Sequence, residues 1–329
     1  MSQKNGEFTI YDKEAAKILD DFLPDRIFDA HCHPEDFAKY CEDTDGFFGS
    51  RKRTVNMIPM PVTEMSESGT GRATEILHAA TKNMKAQLER HPGIVGEVMV
   101  APGDTAEDIE ERIAFAGSDR LVGLKPYHLL AVKKPTFNAE IEEYLPESAW
   151  EVAEKRKLAI TLHLVKDMSL SDPENLAYVA DHAKRYPDVK FILAHCGRSF
   201  AAWTGMESFG KIRGIDNIFY DFSGICESPQ MFMLIKTAGL EKCMWGSDYP
   251  ISLLAGKAIS IADSFYWIGE KDLERMTGAT EFHSWLTGTE NLMAVRQAAQ
   301  MLELTPADLE KFFYQNAAEL FYTKDPEIL

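Results

Sequence analysis

Eight short apolar runs alternate with longer amphipathic stretches between residues 26 and 248, and this alternation leaves few folds open to the chain. The runs are RIFDAHCH (26–33), TVNMIPMPV (54–62), IVGEVMVA (94–101), RLVGLKPY (120–127), LAITLHLV (158–165), VKFILAH (189–195), NIFYDF (217–222) and KCMWGSD (242–248). Each is strand-like in length and in its β-branched and aromatic content. Between them lie helix-like segments. In 72–90, Ile76, Leu77, Ala80, Met84 and Leu88 share one face, and 104–116, 146–156, 173–186 and 228–238 behave similarly. Eight strands separated by helices predict an α/β fold, a (β/α)8 TIM barrel with its core over about 26–250.

Outside that core, a helix over 12–22, ended by Pro24, makes a short N-terminal extension. The tail 251–329 reads as an irregular lid segment to about 280, then helical pieces near 289–303, 306–314 and 316–322. With no repeat and no Ser/Gly linker, 1–329 reads as a single domain.

Charge narrows the partners. Thirty-five Lys and Arg against 52 Asp and Glu give a net charge of −17. Phosphate backbones and anionic membranes need clustered cations, so neither nucleic acid nor a membrane surface is an expected partner. The N-terminus has no basic region followed by an apolar run, and no eighteen apolar residues occur together. Five scattered cysteines (Cys32, Cys41, Cys196, Cys226 and Cys243) suit reduced thiols in a cytoplasmic protein.

The chemistry gathers at the ends of the apolar runs. His31 and His33 end the first, His163 sits late in the fifth, His195 ends the sixth and Asp248 ends the eighth. In a barrel all these ends open on one face, where catalytic groups collect. His31 and His33, two apart on a strand, point the same way. Two imidazoles, a third from a facing strand and a carboxylate make a donor set for one divalent ion, Zn²⁺ first, with Mn²⁺, Fe²⁺ or Co²⁺ as alternatives. His78, His91, His182 and His283 fall in helices or loops and read as ordinary hydrogen-bonding residues.

The segments FDAHCH (28–33), GLKPYH (123–128), ITLHL (160–164), FILAHCG (191–197), WGSDYP (245–250) and QNAAELF (315–321) resemble, in order, those of the amidohydrolase superfamily. The resemblance is closest to its amidohydrolase-2 branch of decarboxylases and hydrolases. It implies His31, His33, His163 and Asp248 as metal ligands, with His195 as the acid/base or orienting residue facing the bound water. In binuclear members of the wider superfamily a lysine near the end of the fourth strand is carboxylated and bridges two metals. Lys125 falls near that position, so a second metal is the alternative, with a substrate-facing ammonium or a salt-bridged role as the others.

Around the metal, Asp29 is expected to face inward, to bond a ligand imidazole or to close the barrel floor. Arg198, with Arg51, is the candidate anchor for a substrate carboxylate; Tyr127 and His128 follow the fourth strand, as substrate contacts or plain loop residues. Two lid candidates follow: the acidic connection 34–49 with Phe37, Tyr40, Phe47 and Phe48, and the aromatic run Phe265, Tyr266 and Trp267.

The residues alone suit two reactions. The first expectation is hydrolysis of a C–N, ester or lactone bond by metal-activated water, with Asp248 moving the proton and His195 orienting the water. The alternative is non-oxidative decarboxylation of an unsaturated or aromatic carboxylate. The substrate is expected to be small and anionic, and the enzyme a homo-oligomer, as relatives often are.

Overall fold

The computed structural model describes residues 6–61, 65, 73–262, 264–269, 272, 275 and 284–321. Eight parallel strands run in sequence order: β1 (Arg26–Cys32), β2 (Lys52–Met57), β3 (Ile94–Val100), β4 (Leu121–Pro126), β5 (Ala159–Leu162), β6 (Lys190–Leu193), β7 (Ile218–Asp221) and β8 (Cys243–Met244). The seam between β1 and β8 is joined by Ala30 N–H to the Trp245 carbonyl (3.0 Å) and Asp248 N–H to the His31 carbonyl (2.8 Å). The sheet is therefore a nearly closed TIM barrel.

The strands form where the apolar runs predict them, trimmed at their C-terminal ends. β3, β4, β5 and β8 are buried along their whole length and the other four at all but one or two residues, as parallel strands covered by helices must be. The intervening helices include Ala73–Arg90, Ala106–Ala116, Glu147–Arg156, Pro173–Arg185 and Ser228–Ala238. Thr105 caps the second of these and Asp172 the fourth, each accepting from backbone N–H groups of the first turn.

One end of the barrel is plugged. Phe28, Val95, Val122, Ala159, Ile192 and Met244, near the strand starts, pack on Tyr314, Ala317 and Phe321 from the tail. Arg26 lies over the Tyr314 ring at 4.1 Å and pairs with Glu310 at 2.8 Å. The tail reaches this position through Thr287–Met301, Pro306–Glu310, a π-helical turn at Lys311–Gln315 and Asn316–Phe321. The opposite end, where the strands finish, stays open.

Two elements differ from expectation. The connection after β1 is a helix, Phe37–Phe48, capped by Asp36, with Tyr40, Phe47 and Phe48 buried. These rings are packing residues and form no lid. The segment read as irregular contains an antiparallel hairpin, β9 (Gly256–Ile261) and β10 (Ser264–Gly269). Most of that segment beyond Gly269, and His283, lie outside the described residues.

Candidate metal centre

The open end of the barrel gathers the chemistry-bearing side chains around one cavity of about 480 Å³. His31, His33, His163, His195 and Asp248 all line it, with Lys125, Tyr127, His128 and Arg198. A larger cleft of about 990 Å³ beside it shares His33 and Met60 but adds no nitrogen donor cluster, so the chemistry belongs to the smaller cavity.

β1 brings the first two histidines side by side, as their spacing predicts. His163 follows the last residue of β5. After β6 the chain enters a left-handed turn, with φ of 55° at His195, 53° at Cys196, 68° at Gly197 and 57° at Arg198. A Cβ at Gly197 would stand 2.9 Å from Leu170 Cδ2 and would strain the positive φ, so glycine is favoured there on both counts. Asp248 also has a positive φ, 55°. Backbone in this region is uncommon for non-glycine residues and clusters at functional sites.

Hydrogen bonds fix the imidazole tautomers. His31 Nδ1 lies 2.8 Å from Asp221 Oδ2, His33 Nδ1 2.9 Å from the Ile58 carbonyl and His195 Nδ1 2.9 Å from the Ser223 carbonyl. Each partner is an acceptor, so in the neutral rings Nδ1 carries the hydrogen and Nε2 presents a lone pair. His31 Nε2 and His33 Nε2 nevertheless face each other at 3.2 Å, and His33 Nε2 is 3.2 Å from Asp248 Oδ1. Lone pairs and a carboxylate at these separations call for a cation among them. One donor atom each from His31, His195 and Asp248 lies within 4.8 Å of the others.

His163 stands slightly apart. Its ring centroid is 5.1 Å from that of His195 and 5.6 Å from His128, and its Nδ1 is buried with no hydrogen-bond partner. His163 lies outside the group of His31, His195 and Asp248, but it lines the same cavity with a buried nitrogen left free to act as a donor.

Burial opposes the charge on Asp248, but His195, His33 and His31 outweigh it and hold the carboxyl below its usual range. Burial opposes Asp221 as well, and contact with His31 more than compensates, leaving it a firm carboxylate. The His31 ring is pulled down to about 4, chiefly by burial.

Asp221, at the end of β7, is the main residue the sequence reading missed. Its Oδ2 accepts from His31 Nδ1, and its Oδ1 accepts from His195 N–H (3.2 Å), Ser223 N–H (3.1 Å) and the Ser223 hydroxyl. The signal was present: a carboxylate closing an apolar run, like the histidines. Asp29, by contrast, touches no imidazole. It accepts from Ser247 N–H (2.8 Å), the Tyr40 hydroxyl (2.8 Å) and the His31 backbone N–H (3.3 Å), which ties β1 to the loop after β8.

Two cations line the same cavity. Lys125 is 1% exposed and makes no hydrogen bond or ion pair among the described residues. Burial lowers its pKa, against the fields of Glu97, Asp221 and Asp248. Glu97 accepts at Oε1 from Asn56 Nδ2 and Thr161 Oγ1, both at 2.7 Å, while its Oε2 has no partner. Burial raises this carboxyl to about 7, with Lys125 opposing.

Arg198 is 8% exposed and lacks any carboxylate partner among the described residues. Its Nη1 donates to the Lys166 carbonyl (3.0 Å) and Ser169 Oγ (3.2 Å), leaving Nε and Nη2 uncommitted. The guanidinium lies between Phe137 (5.6 Å) and Phe265 (5.3 Å). Phe200 stacks near His195, Phe265 and Trp267 to complete an aromatic wall, while Tyr266 faces away.

Of the other expected substrate contacts, Tyr127 is at the cavity and Arg51 is not. Tyr127 lines the cavity, but its hydroxyl donates to the Pro59 carbonyl at 2.6 Å. Arg51 is not at the site. It precedes β2, at the plugged end of the barrel, and its guanidinium donates to the carbonyls of Pro24, Phe48, Asp20 and Leu23 and pairs with the Asp20 carboxylate. A residue just before a barrel strand lies at the end opposite the strand termini.

Comparison with known proteins places this geometry in context. A family model described as Amidohydrolase matches residues 28–322. No curated protein matches the chain. Among solved structures, 2,6-dihydroxybenzoate decarboxylase from Rhizobium superposes with a TM-score of 0.54 at 13% identity, covering 90% of this chain and 98% of its own. The 4-oxalomesaconate hydratase from Rhodopseudomonas palustris gives 0.53 at 14% identity, covering 97% and 86%. The 5-carboxyvanillate decarboxylase from Novosphingobium aromaticivorans, complexed with manganese and 4-hydroxy-3-methoxy-5-nitrobenzoic acid, gives 0.54 at 13% identity, covering 86% and 79%.

Proposed function

The chain belongs to the amidohydrolase family, and from that premise we propose that it removes CO₂ from a small carboxylated substrate held beside one divalent metal ion. The observation that carries the reading is Arg198. A buried guanidinium with two uncommitted nitrogens, on the wall of the cavity that holds the imidazoles, suits a planar carboxylate.

His31, His33, His163 and Asp248 are the proposed ligands. The facing Nε2 atoms of His31 and His33, the orphaned Nδ1 of His163 and the depressed carboxyl of Asp248 fit a cation. Zn²⁺ suits three nitrogens and a carboxylate, and Mn²⁺, found with one solved neighbour, is the first alternative. When bound, the ion supplies Lewis-acid stabilisation of negative charge developing on the substrate. We keep Lys125 as an ammonium facing the substrate, its field balanced by Glu97, with the carboxylated form and a second metal as the alternative.

In decarboxylation the bond from carbon to the carboxylate breaks, and the carbon takes up a proton. Arg198 orients the substrate between aromatic rings, and the apolar wall of Phe200, Phe265 and Trp267 keeps water away. Asp248 and His195 are the proposed proton-moving groups, with His195 held in one tautomer by Ser223. Hydrolysis, the first expectation from the sequence, uses the same residues. The neighbours named above are two decarboxylases and a hydratase, which favours decarboxylation as the reading for this cavity. A homo-oligomer in the cytoplasm stays part of the proposal.

The test is elemental analysis of protein purified without added metal, alongside His31→Ala and Asp248→Ala, followed by an assay on carboxylated aromatic and unsaturated acids. About one equivalent of metal, lost in both variants, with CO₂ release and no incorporation of labelled water oxygen, is the expected result. Label incorporation without CO₂ returns the reading to hydrolysis. Two equivalents promote Lys125 to a bridge.

A further inference from the structure

Arg198 is held by another charged residue outside the cavity. Lys166 has a left-handed backbone, φ 68°, in the loop after β5. Its N–H donates to the Phe137 carbonyl (2.8 Å), and its own carbonyl accepts from Arg198 Nη1 (3.0 Å). The second acceptor of Nη1, Ser169 Oγ, lies in the same loop, and Ser169 also has a positive φ, 50°.

The Lys166 ammonium is enclosed by three carboxylates: Glu140 (2.5 Å), Asp172 (3.1 Å) and Glu174 (2.5 Å). Its side chain is 13% exposed. These carboxylates stand on two different supports. Glu140 belongs to the loop after β4, which also carries Phe137, the ring beneath the guanidinium. Asp172 caps the helix Pro173–Arg185, accepting from Glu174 and Asn175 N–H, and so anchors the ammonium to a rigid helix start.

We infer that Lys166 is a positioning residue that aims the free edge of Arg198 into the cavity. Its ammonium ties the loops after β4 and β5 to a helix N-terminus, while its carbonyl fixes the guanidinium that the loop after β6 delivers. Nη1 is the nitrogen consumed in this hold, so Nε–H and Nη2–H are the pair left to grip a carboxylate side-on. The inference rests on reading Arg198 as the carboxylate anchor. It adds a determinant of substrate affinity that touches no substrate.

The alternative is that the turn alone positions the carbonyl. Glycine separates the two ideas: it adopts a φ of 68° without strain but carries no ammonium. The full-length, metal-loaded protein is titrated calorimetrically with benzoate, a planar single carboxylate, and with benzamide, its neutral match. Lys166→Met and Lys166→Gly are expected to weaken benzoate at least about tenfold, approaching Arg198→Ala, because the charged pair loses its alignment. Lys166→Arg is expected to stay within about threefold of the parent, since a guanidinium meets the same carboxylates. Benzamide affinity and metal content are expected to stay level throughout.

Benzoate affinity that survives in Lys166→Gly, with Arg198→Ala still deficient, overturns the inference and leaves the anchor reading intact. Parallel loss of benzoate and benzamide makes Lys166 a folding residue only and also overturns it. No benzoate binding by the parent, or none lost in Arg198→Ala, overturns the anchor reading together with this inference.

Discussion

At the plugged end of the barrel, Arg51 commits its guanidinium to four backbone carbonyls and the Asp20 carboxylate, and Arg26 pairs with Glu310 over the Tyr314 ring. At the open end, among the described residues, Arg198 uses one nitrogen and Lys125 uses none. The two ends are built from the same residue types under one net negative charge. They differ in whether the charges are satisfied by the protein itself. Satisfied cations lock the tail and the leading helix onto the strand starts, whereas unsatisfied buried cations at the strand ends carry a desolvation cost that an anionic ligand can offset.

That contrast can be broken first with acid. Burial, with Arg198 adding to it, pulls His128 down to about 4 from an ordinary 6.5. The unfolded chain takes up this proton near 6.5 and the folded chain only near 4. Stability is therefore fully present above 6.5 and falls as pH drops through that window, by on the order of 3 kcal/mol for this residue. His31, also pulled down to about 4, acts in the same direction. Metal-free protein should show this acid limb in denaturant titrations, and His128→Gln should make it shallower, leaving the share that His31 contributes. An unchanged limb would remove the open end as the acid-sensitive one.

A more local probe is Asp221→Asn. The variant keeps the shape but weakens the hold on His31 Nδ1 and on the Ser223 hydroxyl. Metal affinity should fall about 10–100-fold, the usual penalty for losing a carboxylate behind a ligand histidine. Competition with a chelator reads this directly.

The smallest effect sharpens the comparison from the other side. Arg51→Ala leaves several carbonyls without their donor and should cost about 1–2 kcal/mol of stability. It should leave metal content and benzoate affinity as they were. A change in ligand affinity would show that the plugged end is not the purely structural partner described here.

Much of the fold is legible in the sequence because its strands are nearly continuous apolar runs, a pattern that burial on both faces requires. The hairpin at 256–269 is harder to see. Its turn residues, around Ala262, lack the Asn-Gly or Asp-Gly signal of a two-residue hairpin. The helix Phe37–Phe48 contains a glycine, two aspartates, a threonine and aromatics that are weak helix formers, and burial of Tyr40, Phe47 and Phe48 overrides that preference.

The site divides similarly. Histidines ending strands announce themselves, and the cavity gathers all of those named. Asp221 ends a strand no less clearly but is of a common type, and only the contact with His31 gives it meaning. Arg51 misleads because it belongs to the long connection after β1, yet the helix Phe37–Phe48 fills that connection and returns the chain to the strand starts, where Arg51 directly precedes β2. Lys166 is invisible to pattern, since its partners at 140, 172 and 174 converge only through the loops.

The left-handed turn from His195 to Arg198 has a consequence for how such an enzyme diversifies. His195, Cys196 and Gly197 share one left-handed backbone conformation and Arg198 continues their positive φ, so the angular step between the imidazole and the guanidinium is set by their count. Inserting or deleting one residue would rotate one of the two side chains out of the cavity, and proline, with φ fixed near −65°, has no place in the turn. A change in the length of this turn would therefore disturb the placement of the two groups together. The hairpin carrying Phe265 and Trp267 is under no such constraint, and substitutions there offer a lineage the easier route to a new substrate.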